Sequence, residues 1–141
     1  MKNFLLLKIL IFYLIIITNV LSKQIDFFDQ GLKLFEKNKF EKSKILFEKD
    51  IVFNPKSEKS YLYLAKIFNN SENDEEEEIN LKNVLIINPQ NDEAIYMLTI
   101  LKIKQSDYDE AKKLISTFNM VCNTFCSKKD EIKKKFEKLK P

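Results

Sequence analysis

The chain has 141 residues, 45% hydrophobic and 32% charged, with 24 basic side chains against 21 acidic ones, the balance of a folded protein and not of a disordered one. Every basic residue is lysine, histidine and tryptophan are absent, and Gly31 is the only glycine. Without histidine the chain lacks the commonest general base and metal ligand, and one glycine builds no phosphate-cradling loop, so a compact enzyme with its own metal or cofactor is not expected.

Residues 1–22 read as a leader. Met1-Lys2-Asn3 is a short positive start, and Phe4 to Val20 is almost wholly apolar, interrupted by Lys8 and Thr18-Asn19. Val20-Leu21-Ser22 ends on a small residue before Lys23, the layout of a secretory signal peptide cleaved after Ser22. The competing reading is an uncleaved anchor, since the apolar run approaches the roughly 20 residues that span a bilayer. No cysteine follows the leader to carry a lipid. Loss of Lys2 and Lys8 leaves 22 lysines against 21 acidic residues, too even a balance to attract nucleic acid. The expected location is outside the cytoplasm, the periplasm first, with secretion or membrane anchoring by the leader as alternatives.

The remainder, 23–126, repeats itself. Asn54-Pro55 recurs as Asn88-Pro89, 34 residues later, and two series keep that interval: Gly31, Ala65 and Thr99, and Phe27, Tyr61 and Ile95. Such a period marks stacked supersecondary units, here about 24–57, 58–91 and 92–125. Within each unit apolar residues recur at the helical three and four. Unit one carries Phe27, Phe28, Leu32, Leu34 and Phe35, then Phe40, Ile45, Leu46, Phe47 and Ile51. Between these runs Asn38 precedes Glu41 by three, as Asn73 precedes Glu76 and Asp107 precedes Glu110, a capping-box signal for a second helix. Asn-Pro closes that helix, because proline cannot continue the hydrogen-bond ladder. Each unit is therefore expected to be a helix–turn–helix hairpin. Asn69 to Asp74 holds no glycine, so the Asn69-Asn70 pair is expected to supply the left-handed turn. A last amphipathic helix over 127–141, started by Ser127 with Asp130 and buried through Ile132, Phe136 and Leu139, is expected to cap the stack.

These residues resemble the tetratricopeptide-repeat family. The pattern shows as Phe27, Gln30-Gly31 and Leu34, again as Tyr61, Leu64-Ala65 and Phe68, and as Ile95 with Leu98-Thr99 before Lys102 departs from it. Ser43 with Phe47 and Ala111 with Ile115 match the later small and large positions. Unit two has Glu77 with Leu81 there, which predicts a shifted or frayed second helix. The resemblance implies an all-α solenoid of three hairpins plus the capping helix, and a protein-binding role. It also implies that the first helices line the concave side, where Phe28, Leu62 and Tyr96 form one stripe, Leu32, Lys66 and Ile100 a second, and Glu36, Asn70 and Lys104 a third. Most of these places are apolar, so the carboxylate clamp of the family's best-known peptide readers is not expected. Tyr96, edged by Lys66 and Lys104, is the expected anchor of a groove for an extended or helical peptide.

Two further features could carry chemistry. Cys122 and Cys126 are the only cysteines; in an oxidising compartment they read as a small-loop structural disulfide, with a redox pair as the alternative. Their C-x3-C spacing is not that of thioredoxin-like sites. Six of the seven residues from Glu72 to Glu78 are acidic, and they read as charges at a helix start, lacking the glycine turn of a calcium loop. Three functions remain open from sequence: an exported module binding a protein segment in its groove, a structural subunit held at the membrane by the leader, and a thiol–disulfide protein.

Overall fold

The computed structural model describes residues 26–139, so the leader and the expected cleavage after Ser22 lie outside the described residues. Seven α-helices follow in order, with no strand among the described residues. They are α1 (Phe27–Phe35), α2 (Phe40–Phe53), α3 (Glu58–Asn70), α4 (Asp74–Ile87), α5 (Asp92–Lys104), α6 (Tyr108–Val121) and α7 (Lys129–Leu139). A 3-10 turn, Cys126–Lys128, precedes α7. The first six pack as three consecutive pairs, α1 with α2, α3 with α4 and α5 with α6.

One device closes all three hairpins. Asn38, Glu72 and Ser106, spaced 34 residues apart, are left-handed, with φ of 55°, 55° and 61°. Each ends its first helix in a Schellman turn, the amide after it reaching back to Leu34, Phe68 or Lys102 at 2.9 Å. Two expectations are corrected here. Asn38 is the left-handed terminator of α1, so Lys39 takes the start of α2, without a side-chain cap bond. The second turn rests on Glu72, not on Asn69-Asn70. Asn73 and Asp107 do cap α4 and α6, accepting from the Glu76 and Glu110 amides at 3.2 Å. The 34-residue period places Lys39, not Asn38, level with these two caps.

The core runs through the pairs. In the first, Gly31 lets α1 approach α2: a Cβ built there would stand 2.8 Å from the Phe47 ring. Ser43, fully buried, donates its hydroxyl to the Gly31 carbonyl at 2.8 Å. In the second, Glu77 occupies the small-residue position yet α4 is neither shifted nor frayed, for Leu81 and Val84 beside it are fully buried. Glu77 is 2% exposed; the Asn69 side-chain amide donates to both its oxygens, at 3.0 and 3.1 Å. Burial pushes its carboxyl above the usual range, the Asn69 bond offsetting part of that.

The edge where first helices begin is tied by their first residues. Glu58 accepts from the side chains of Asn88 and Asn91 in the following linker. Asp92, 34 residues on, accepts the backbone amides of Asn123 and Phe125 at 2.7 and 2.8 Å and the Thr124 hydroxyl. Burial works against its charge, but these donors prevail and hold its carboxyl below the usual range.

The last helix departs from the array. Ser127 lies inside the 3-10 turn and does not cap α7. Ile132 is 1% exposed, and Phe136 meets Tyr108 edge-on at 6.1 Å, while the Tyr108 hydroxyl donates to the Leu139 carbonyl. Leu139 itself is half exposed and not a buried stripe member. Whereas α3 packs on α2 and α5 on α4, α7 packs on α5 more than on α6.

Candidate functional site

The first helices of the three pairs present one face, and lysines stand over its aromatic rings. Phe28 of α1 lies 5.6 Å from Phe47 and 5.7 Å from Tyr63, with the Lys59 Nζ 5.7 Å above its ring. Tyr63 of α3 has the Lys66 Nζ at 4.5 Å, and Lys66 pairs with Glu93 at 2.9 Å. Tyr96 of α5 has the Lys128 Nζ at 5.5 Å. A cation over a ring face is attracted by the ring quadrupole, so each pair is a small apolar surface with a positive rim.

The expected stripes do not form one open groove. Leu62 is 8% exposed and belongs to the core. Tyr96 packs on Phe118 and Phe125 at 6.4 and 5.8 Å and donates its hydroxyl to Glu131 of α7 at 2.9 Å. Desolvation, then that carboxylate, raises the phenol above its ordinary range. Glu131 is held down to about 2, first by Lys128 and then by the Tyr96 hydroxyl. Because α7 leans on α5, the Tyr96 end is occupied by α7, and Tyr96 is not the open anchor the sequence suggests. Ile100 packs partly buried beside the same core.

Lys104 is spoken for as well, 2.7 Å from Asp74. Asn70 lies exposed at the end of α3, and Leu32 is half-buried on α1. What stays together at the α1–α3 end is Phe28 and Tyr63, both partly buried, with the exposed Lys59, while Lys66 is held by Glu93. A cleft of about 1200 Å3 adjoins it, lined by Phe27, Phe28 and Phe53 together with Lys59 and the carboxylates Asp26, Asp29, Asp50 and Glu58. Sequence reasoning missed Lys59, Tyr63, Glu93 and the Glu131 contact. Tyr63 sits one residue after the stripe member Leu62, and a helical wheel allowing a wider face would have included it.

The acidic run divides among lysines. Glu78 bonds Lys102 and Lys82 at 2.7 and 2.6 Å, and Lys102 leads in drawing its carboxyl down to about 2. Among the described residues no group of three or more His, Cys, Asp or Glu is placed to hold a metal ion. Cys122 and Cys126 are joined, S–S 2.11 Å, across the loop that Asp92 anchors. No helix among the described residues is long and apolar enough to cross a membrane. A row the stripes overlooked lies on the second helices: Val52, Ile86 and Met120, one per unit at the 34-residue interval, are 75%, 78% and 75% exposed.

No family model and no curated protein matches the chain. Solved structures do. The Sgt2 TPR domain from Aspergillus fumigatus superposes with a TM-score of 0.68 at 14% identity, covering 83% of this chain and 81% of that one. A chain of the CopN-Scc3 complex gives 0.64 at 16% identity, covering 82% of this chain and 67% of that one. With its paired helices, Schellman-closed hairpins and 34-residue period, the chain has the tetratricopeptide-repeat fold, an α-solenoid of three helical hairpins followed by α7.

Proposed function

We propose that the protein is an exported, non-enzymatic interaction module that holds a segment of a partner protein on the α1–α3 end of its concave face. The observation that carries this reading is the Phe28–Tyr63 pair with Lys59 and Lys66 over the rings, in the stretch that α7 leaves uncovered. Partly buried aromatics supply a fixed anchoring surface, and aromatic anchors dominate protein interfaces. Lys59, exposed and without an ion pair among the described residues, adds attraction for an acidic group and steers its approach, whereas Lys66 already pairs with Glu93. A structural neighbour found in a complex, the CopN-Scc3 chain, supports the choice of a protein partner. Export is supported by the leader layout of residues 1–22, and the paired cysteines suit an oxidising compartment.

The test is site-directed photocrosslinking from position 28 in the native cell, with a second probe at position 96. A discrete adduct from 28, lost on Lys59→Glu and retained on Tyr96→Phe, supports the reading. Crosslinks from 96 alone would place binding at the α7-covered end and refute it. N-terminal sequencing of the purified protein tests export separately: a start at Lys23 supports cleavage, and a start at Met1 supports the membrane-anchored alternative.

A further inference from the structure

A helix continuing the array would pack on the second helix before it, as α3 does on α2 and α5 on α4. Ile132 keeps that register, standing 34 residues after Leu98. Because α7 leans on α5 instead, a slot of about 250 Å3 remains between α6 and α7. Phe118 and Ile132, both essentially fully buried, form its base, and the half-buried Ile115 and Phe136 form its walls.

The rim is mainly positive. Lys112, Lys129 and Lys133 border the slot, with Asp130 and Glu137 as the acidic members. Among the described residues Lys112 and Lys129 make no ion pair, and Lys133 reaches Glu137 only at 4.0 Å. Lys129 donates to the Asn119 carbonyl at 3.5 Å, a long bond across the slot. An apolar base with one lysine on each side, Lys112 and Lys129, that makes no ion pair among the described residues favours an acidic occupant.

We propose that the α6–α7 slot is a second docking site, taking an acidic amphipathic helix of a partner protein that inserts one or two large apolar side chains between Ile115 and Phe136 and sets carboxylates against Lys112, Lys129 and Lys133. Apolar side chains of such a helix recur at three and four, matching a slot that runs between two helices. The site lies away from the Phe28–Tyr63 surface, so neither reading depends on the other.

The probe is a synthetic helical peptide with leucines at i and i+4 flanked by glutamates, titrated into the protein as purified from the exporting host. Isoleucine methyl resonances report its location. Saturable shifts at Ile115 and Ile132, with Ile100 unmoved, are expected. The triple variant Lys112→Glu, Lys129→Glu, Lys133→Glu should weaken binding by about tenfold or more, and added salt should do the same to the parent. Circular dichroism of the variant must match the parent; if the triple variant fails to fold, Lys112→Glu alone serves. A peptide with serine for leucine should not bind. Shifts confined to Ile100, equal binding of a peptide with lysine for glutamate, or retention by anionic vesicles in place of the peptide would each overturn the proposal.

Discussion

Gly31→Ala is the most direct probe of how the first hairpin closes. The new Cβ would sit 2.8, 2.9 and 3.2 Å from three carbons of the Phe47 ring, where carbon atoms prefer about 3.5–4.0 Å. The ring cannot yield cheaply, because Phe47 is fully buried with Phe28 at 5.6 Å and Tyr63 at 5.3 Å on its flanks. Overpacking of this kind costs about 1–3 kcal/mol. Alanine in a helix interior returns up to about 1 kcal/mol over glycine. The net expectation is a loss of about 1–2 kcal/mol, read as a lower urea midpoint at unchanged slope. Phe47→Leu made in the same background should remove most of the alanine penalty while costing stability itself, so a double-mutant cycle should show favourable coupling. An alanine variant as stable as the parent, or a cycle with no coupling, would refute the account of Gly31 as a close-approach residue.

Three further outcomes follow from the structure. Glu72→Gly and Ser106→Gly should each stabilise the protein by up to about 1 kcal/mol in urea unfolding, since glycine removes the left-handed strain at φ 55° and 61°. Asp92→Ala should cost about 2 kcal/mol or more, because it strips the Asn123 and Phe125 amides and the Thr124 hydroxyl of a charged acceptor; hydrogen exchange at those two amides should rise with it. Glu77→Gln should flatten one part of the stability–pH profile. Its carboxyl is raised in the folded state, so its contribution is most favourable below the unfolded carboxylate value and is lost as pH rises through the folded one. Glu78 and Glu131, held at about 2, act in the opposite sense, favouring the fold above the ordinary carboxylate range and losing that as pH falls toward 2. The Glu77→Gln profile, measured by thermal unfolding between pH 3 and 8, should lack the loss of stability that the parent shows as pH rises above the ordinary carboxylate range.

The sequence by itself determined the repeat. Its 34-residue period, the Asn73 and Asp107 caps and the two Asn-Pro stops are local signals, set by backbone donors and by proline chemistry within a few residues. They sufficed for the hairpins and for the all-α solenoid. Only the tertiary structure decided which residues of a stripe reach solvent. Leu62 and Tyr96 share a register with Phe28, yet Leu62 turns into the core and Tyr96 is taken by Glu131 of α7. Periodicity names a face of a helix, but burial depends on what the next helix covers, and here that depends on how far α7 leans onto α5. Glu77 makes the same point in reverse. A carboxylate at a small-residue position reads as a defect along the chain, and becomes tolerable only because the side-chain amide of Asn69, eight residues away across the turn, arrives within hydrogen-bonding distance of both its oxygens.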